Sequence, residues 1–264
     1  MKIFLAFAKA SFGSNVTYRG AIVVWMLISL IRTGIALLMW LASSNSIIGG
    51  YTKEEIISYY VIIMFAEWFL MWNPFHPIAE EIRSGYILTM LVKPVNYAKA
   101  WFAKEAGFKI TAMGILMVAA IFVFSMLKTL NLDIKLTPGW DWFLVIPAMI
   151  AGITISFFTT MSMVTLAFWF TEVEYVNFLF WTIFIFLGGL WMPVSFLPSW
   201  LKTINMFLPF RYELSFPVEI LFHKVGEVEL WISLLMAGFW SVALWMLYKF
   251  LWKKGVKAYS AFGQ

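Results

Sequence analysis

Two charged side chains inside apolar segments have the clearest capacity for chemistry in this chain. Arg32 and Glu67 each lie within a run of apolar residues that is long enough to cross a membrane. An unpaired charge at that depth costs at least about 2.5–3.5 kcal/mol, so the pattern predicts a salt bridge between two adjacent helices. Two alternatives stay open: a direct role in the passage of a substrate, and snorkelling of a side chain toward the membrane surface.

Sequence motifs for nucleotide, metal or nucleophilic chemistry are absent. The chain has no GxxxxGK[ST] loop to cradle phosphates, no HExxH motif, no GxSxG motif and no cysteine. Its two histidines, His76 and His223, fall in different connections. Glu172 and Glu174 bracket a tight turn, where they either stay solvated and cap the next helix or contact a partner. We therefore predict a non-catalytic chain that binds no metal or cofactor.

Composition predicts an all-α integral membrane protein. Of the 264 residues, 62% are hydrophobic and 12% are charged, whereas a soluble domain carries roughly 25% charged residues. So few charges cannot cover a water-facing surface. The net charge of +5 is distributed as sidedness in a lipid bilayer requires, and we predict no nucleic-acid partner.

Six segments are long and apolar enough to span a bilayer, which takes about 20 residues. The fourth segment is long for one crossing, and Pro147 is predicted to kink its outer end. In chain order the predicted spans are Ala21–Leu41, Ile56–Trp72, Phe108–Leu127, Trp142–Phe170, Tyr175–Met192 and Leu230–Leu251.

The basic residues predict which side each connection faces. With both termini in the cytoplasm, 12 of the 19 Lys and Arg residues lie inside, 6 lie outside, and Arg32 lies within a helix. Because cytoplasmic loops carry the excess of Lys and Arg, this split predicts six crossings with both termini cytoplasmic, in the cell membrane. The whole chain, 1–264, is predicted to form one transmembrane domain.

Two short segments flank the first span. Residues 1–19 alternate basic and aromatic side chains, which predicts a helix lying on the inner membrane surface; a frayed extension of the first span is the alternative. Residues 42–55 are predicted to form a turn, with Gly49 and Gly50 as breakers and Thr52 as the N-cap of the second span.

The connection 73–107 is the longest polar one, and it carries an amphipathic pattern. Apolar residues from Ile78 onward are interleaved with charges, which predicts one short helix over 78–92 that is broken near Gly85 and ends before Pro94. Such a helix could lie on the inner membrane surface or dock into a groove of a soluble partner, and the pattern does not choose between them.

The same connection contains a recognisable motif. Ile82-Arg83-Ser84-Gly85 followed by Leu91-Val92-Lys93-Pro94-Val95 resembles the loop between helices 2 and 3 in permeases of type-2 ATP-binding-cassette exporters, in particular the small six-helix permeases of bacteria and archaea. In that family this loop holds the coupling helix, which sits in a cleft of the ATPase subunit. The resemblance implies coupling roles for nine residues: Ile78, Glu80, Glu81, Ile82, Arg83, Gly85, Leu88, Lys93 and Pro94.

A second segment, 193–229, is apolar but interrupted, so we expect it to fold back into the outer leaflet as short helices covered by protein. The type-2 permeases likewise place re-entrant helices between helices 5 and 6. The residues predicted to form this bend are Gly188, Gly189, Pro193, Pro198 and Pro209.

The resemblance implies a permease subunit of an ATP-driven transporter that works as an exporter. Two copies, identical or from sibling genes, would sit on two ATPase subunits that hold ATP and Mg. The alternatives are a secondary transporter or channel without an ATPase, an intramembrane enzyme, and an assembly protein without a transport role. Arg32 and Glu67 are the two charges available at midplane for a secondary transporter, and the enzyme would need clustered catalytic groups that the sequence lacks.

Overall fold

The computed structural model describes residues 2–17, 19–42, 47–129 and 132–261, and these are almost entirely helical. Two short strands, β1 (Ile47–Ile48) and β2 (Tyr51–Thr52), pair antiparallel. The α-helices are α1 (Lys2–Thr17), α2 (Arg19–Leu41), α3 (Lys53–Leu70), α4 (Phe75–Arg83), α5 (Ile87–Leu91), α6 (Tyr97–Thr129), α7 (Val145–Val164), α8 (Glu174–Leu187), α9 (Ser199–Asn205), α10 (Phe210–Glu213), α11 (Ser215–Leu221) and α12 (Glu227–Ala261). Short 3₁₀ helices cover Trp140–Leu144, Thr165–Phe168 and Val194–Phe196.

The predicted all-α membrane fold is confirmed. Within the described residues, five stretches are long and apolar enough to cross a membrane: Arg19–Leu41, Lys53–Arg83, Tyr97–Thr129, Trp140–Phe168 and Glu227–Tyr259. The sixth predicted span corresponds to α8, which has only 14 residues.

The start of α3 follows the predicted capping chemistry. Thr52 accepts a hydrogen bond from the backbone N–H of Glu55, and the Glu55 carboxylate accepts one from the N–H of Thr52 at 2.8 Å. This capping box satisfies two backbone donors that a helix start leaves without partners. The turn before it is the β1–β2 hairpin, with Gly49 and Gly50 at positive φ, so the predicted turn contains a strand pair that the sequence pattern did not indicate.

Helix α8 ends earlier than predicted, at Leu187 instead of Met192. Gly188 is its C-cap, and Gly189 follows with φ +87°, a conformation that residues with a Cβ rarely adopt. A Cβ at Gly189 would also lie 2.6 Å from the Cβ of Ser215. The chain therefore turns at these glycines and brings residues 189–191 against α3, where the hydroxyl of Tyr59 donates to the carbonyl of Gly189 at 2.8 Å.

The segment after α8 folds as a series of short helices. Pro193, Pro198 and Pro209 are the N-cap residues of the 3₁₀ helix at Val194–Phe196, of α9 and of α10. Proline has no N–H to donate, and the first turn of a helix leaves its N–H groups without intrahelical partners. The prolines that interrupt a span in this sequence thus mark where the short helices begin.

Helix α6 begins eleven residues before its predicted start at Phe108. Asn96 caps it by accepting a hydrogen bond from the N–H of Lys99 at 3.0 Å. The polar connection is therefore shorter than 73–107, because its last part forms the first three turns of α6. Pro147 lies in the first turn of α7, directly after the 3₁₀ helix at Trp140–Leu144, and the kink at this outer end stays a prediction.

Helix α1 packs on α6 within the same chain. Ser11 donates to the carbonyl of Lys104 at 2.6 Å, and the two backbones approach so closely at Gly107 that a Cβ there would lie 2.2 Å from the carbonyl oxygen of Ala8. Several large apolar side chains of α1 remain exposed: Ile3, Phe4, Leu5, Phe12 and Val16.

Candidate functional site

The predicted amphipathic helix forms two pieces, α4 and α5, at one end of the bundle, beside the last turns of α12. Ser84 closes α4 by donating its backbone N–H to the carbonyl of Glu80, and Gly85 follows with φ +78°. This left-handed residue turns the chain so that α5 starts in a new direction. The break lies where the sequence placed it, near Gly85, and α5 ends before Pro94 as predicted.

The apolar face of α4 and α5 is buried in the chain itself. Ile78, Ile82 and Ile87 are each 0% exposed and pack in a cluster with residues of α6, α7 and α12. The resemblance implies coupling roles for Ile78 and Ile82, and the structure corrects the way they could act: both side chains are covered by their own chain and are not exposed anchors. An amphipathic period shows that a face is buried, but it does not show which molecule covers it.

Glu81 is also held inside the chain. Its carboxylate accepts hydrogen bonds from the hydroxyl of Tyr97 at 2.7 Å, from the indole Nε1 of Trp101 at 3.2 Å and from Nζ of Lys104 at 3.0 Å. These three donors lie on the first turns of α6. Glu81 therefore ties α4 to α6 and has little capacity left to bind a partner.

Arg83 connects α4 with the turn before α8. Its guanidinium lies 3.3 Å from the carboxylate of Glu80 and 3.4 Å from that of Glu174. The ring Nδ1 of His76 lies 3.0 Å from the same Glu174 carboxylate. The structure shows a contact for Glu174 that neither of its two predicted roles included: its carboxylate binds α4 of its own chain.

The C-terminal helix braces the break between α4 and α5. The hydroxyl of Tyr259 donates to the carbonyl of Ile82 at 3.1 Å, and a Cβ at Gly85 would lie 3.4 Å from the same hydroxyl oxygen. Two turns earlier in α12, Trp252 stacks on Tyr97 with 4.6 Å between ring centroids. Four helices, α6, α7, α8 and α12, thus hold these two short helices through α4, α5 or their flanking turns.

The outward surface of α5 is apolar and exposed. Tyr86 is 56% exposed, Leu88 52% and Val92 83%, and Lys93 and Pro94 next to them are exposed as well. We call Tyr86, Leu88 and Val92 the apolar tip. Exposed apolar groups that are held on a rigid, self-packed base are the arrangement by which docking surfaces present anchors to a partner.

Arg32 and Glu67 meet within the bundle. The guanidinium of Arg32, on α2, forms an ion pair with the carboxylate of Glu67, on α3, and Ser29 donates to the same carboxylate oxygen at 2.9 Å. Both side chains are largely covered, with 21% and 13% of their surface exposed. The predicted contact is therefore present in the structure, and its energetic role stays a prediction.

Sequence reasoning missed a buried charge network near the other end. Arg211 is 2% exposed, and its guanidinium pairs with the carboxylates of Glu219 at 2.6 Å and Glu229 at 2.8 Å. In the sequence Arg211 was counted only as one of the outer basic residues. A signal for this network was present in the sequence: a single arginine in an apolar segment, followed by acidic residues that include Glu219 and Glu229.

The two acids Asp141 and Glu55 also have basic partners at this end. The ring Nδ1 of His223 lies 3.0 Å from the carboxylate of Asp141, and Nζ of Lys224 lies 2.9 Å from that of Glu55. These contacts connect the turn before α12 to the first turn of α3 and to the 3₁₀ helix that precedes α7. As predicted, His76 and His223 lie at different ends, in contact with different groups.

Glu213, the last residue of α10, is buried without a cation. Its Oε1 accepts a hydrogen bond from Thr159 at 3.2 Å, and among the described residues its Oε2 has no hydrogen-bond partner. Glu213 is therefore a buried acid whose hydrogen bond from Thr159 ties α10 to α7.

Within the described residues, no three His, Asp or Glu side chains lie together as a metal site would require. The geometry around α4 and α5 is suited to transmitting a movement. These two short helices are fixed to four other helices, and their apolar tip is exposed at the surface of the chain.

Comparison with known proteins agrees with this reading. A search of curated proteins finds no match. A family model described as "ABC-2 family transporter protein" matches residues 21–263, which leaves out little besides α1. The match covers the helices from α2 to α12, including α4 and α5. The chain therefore belongs to the ABC-2 transporter family, as the permease of an ATP-binding-cassette transporter.

Proposed function

We propose that the chain forms the translocation path of an ATP-driven exporter and receives the motion of its ATPase subunits through α4 and α5. Family membership implies an ATPase partner and a membrane setting. The observation that supports this coupling site is the apolar tip, Tyr86, Leu88 and Val92, which is exposed while the rest of the two helices is fixed to the bundle. The transported substrate is read from neither the sequence nor the fold.

The contacts around α4 suggest how motion passes to the spanning helices. When the ATPase subunits close on ATP, a push on α5 reaches α6 through Glu81, α8 through Arg83 and Glu174, and α12 through Tyr259. Since Glu81, Arg83 and Tyr259 bond α4 directly to these three helices, α6, α8 and α12 respond together. ATP binding then shifts the population between inward-open and outward-open states. ATP and Mg would be held by the ATPase, and the permease itself would be non-catalytic.

Six crossings are supported by the depth that α8 reaches. Its 14 residues rise about 21 Å at about 1.5 Å per residue, from Glu174 beside α4 to the level of Tyr59. Tyr59 lies six residues into α3, or about 9 Å below that helix start. Together these lengths match a hydrocarbon core of about 30 Å. We infer that α8 crosses most of the bilayer and that the short helices between 193 and 229 fill the remaining outer part.

The orientation follows from the basic residues. Both termini and the α4–α5 element are placed in the cytoplasm because that side then carries 12 of the 19 basic residues. An impermeant thiol reagent added from outside should label a cysteine placed at Glu54 and not one placed at Lys99, in a chain without native cysteines. The reverse labelling would overturn the orientation.

The assembly is proposed to contain two permeases and two ATPases. The second permease is either an identical copy or a sibling chain, as in the family that the motif resembles. The chain is proposed to act as a single domain, with α1 lying along the inner surface of the bilayer. The apolar side chains that α1 exposes support that placement.

The proposed function is tested by isolating the chain with its ATPase. The permease is expressed with an affinity tag together with each ATP-binding-cassette ATPase of its own cell in turn. We expect the two proteins to copurify in a fixed ratio and the ATPase activity to change when the permease is bound. A stable, folded permease that retains no ATPase, tested with each ATPase of its own cell, would favour a transporter that works without one.

A further inference from the structure

The joint between α3 and α4 is held by side chains from two other helices. Helix α3 ends at Leu70 and α4 begins at Phe75, so residues 71–74 form the joint. The backbone carbonyls in the last turn of a helix have no intrahelical donors, and backbone groups without partners are costly within a membrane. The joint therefore needs donors from outside α3.

Lys109, on α6, supplies these donors. Its Nζ donates to the carbonyl of Trp68 at 2.8 Å and also to the carbonyl of Met71. The side chain is buried, and its third direction faces the carboxylate of Glu105, at 4.0 Å. A cation at this point also opposes the negative end of the α3 dipole. The sequence had counted Lys109 only as one of the inner basic residues.

Two hydroxyl groups of α7 hold the same joint from another side. The backbone N–H of Trp72 donates to Oγ of Ser156 at 2.9 Å. Thr160 donates to Oδ1 of Asn73 at 3.2 Å. The ring of Trp72 stacks on Phe102 of α6, with 4.3 Å between centroids. The joint is thus bonded to α6 and α7 on consecutive residues.

We propose that Lys109 is a positioning residue that locks the α3–α4 joint, so that a movement of α4 turns α3 instead of being absorbed at residues 71–74. This inference rests on the proposed function, because α4 is the element that the ATPase is proposed to move. The lock works through charge-assisted hydrogen bonds to backbone carbonyls, which fix the helix end and not merely a side chain. Ser156 and Thr160 hold the joint on α7 but carry no charge.

The test uses Lys109→Met combined with Glu105→Gln, so that no lone carboxylate remains buried. Lys109→Arg is the matched control, since a guanidinium keeps the charge and can donate to two carbonyls. The first measurement is hydrogen exchange at the backbone amides of residues 71, 72, 73 and 75 in the permease alone, in lipid nanodiscs. We expect exchange there to rise by roughly tenfold for each hydrogen bond lost, with the outer half of α3 unchanged and Lys109→Arg close to the parent protein.

The second measurement uses the complex with its ATPase. The double variant should still bind the ATPase and hydrolyse ATP, while the ATP-driven change in distance between spin labels at Glu54 and Val228, two exposed residues in the first turns of α3 and α12, becomes about tenfold smaller. Lys109→Arg should restore most of the response. Unchanged exchange at residues 71, 72, 73 and 75 would overturn the lock whether or not an ATPase binds. Increased exchange with normal coupling would reduce Lys109 to a structural role. Failure of the parent chain to bind an ATPase would count against the proposed function alone.

Discussion

Replacing Leu88 and Val92 together by aspartate is expected to release the ATPase from an intact permease. Both side chains are largely exposed on α5, whereas Ile82 on α4 is fully buried. Apolar anchors at the centre of an interface contribute about 2 kcal/mol or more each. Losing two of them should weaken binding by several hundredfold or more, at about tenfold for each 1.4 kcal/mol.

The contrast with the buried face makes this prediction specific. Thr171→Asp adds a charge at an exposed position in the turn before α8, and it should leave binding unchanged. Ile82→Asp places a charge in the chain's own core, so it should unfold or destabilise the permease instead of simply releasing the partner. The affinities are measured by titrating purified ATPase against permease in nanodiscs, beside thermal unfolding of each variant. Tight binding by a folded Leu88→Asp and Val92→Asp double variant would place the docking surface elsewhere.

A second large effect is expected at the pair formed by Arg32 and Glu67. Arg32→Met or Glu67→Gln alone should cost about 3–5 kcal/mol of stability, because each leaves a charge without its partner in a largely covered site. The double variant should cost less than the sum of the single variants, since it leaves neither charge behind. Lys109 also lies within electrostatic reach of Glu67, so Glu67→Gln should be the more damaging single change.

The measurement is a double-mutant cycle on the free energy of unfolding. Equilibrium unfolding in mixed micelles gives that free energy for the parent protein, both single variants and the double variant. Ser29→Ala is a useful companion, because it removes a 2.9 Å hydrogen bond to Glu67 without changing any charge. Additive single effects would show that the two charges are stabilised independently and that their contact contributes little.

Much of the fold was predictable because the bilayer imposes a simple rule on the sequence. A spanning helix must be long and apolar, so α2, α3, α7 and α12 could be placed within a few residues at most ends. Helix starts and stops that depend on local chemistry were also readable, as at Thr52 and Gly85. Three boundaries failed: α6 begins early, after the Asn96 cap, α8 ends early, at Gly188 and Gly189, and α12 continues past the predicted Leu251 to Ala261.

The tertiary contacts of α4, α5 and the joint at residues 71–74 were the least predictable part of the structure. Hydrophobic periodicity gave the correct buried face, but Ile78, Ile82 and Ile87 proved to be covered by the chain itself. The resemblance implies coupling roles for Glu81 and Arg83 as well. In the structure their side chains pair with Lys104 and Glu174 of the same chain. Proximity in space, which decides these partners, has no signature in the spacing of a single segment.

The sequence by itself determined the class of this protein: an all-α membrane chain, the side on which its basic residues gather, and the family motif between Ile82 and Val95. These follow from hydropathy, charge and local backbone chemistry, which act over one helix or one turn. Only the tertiary structure decided which charges are paired and which surface stays free. Lys109 and Arg211 read as ordinary basic residues in the sequence, and each became a buried hub because distant helices brought carbonyls or carboxylates to it. A buried charge is tolerated only where such partners converge, and that convergence is a property of the packed bundle.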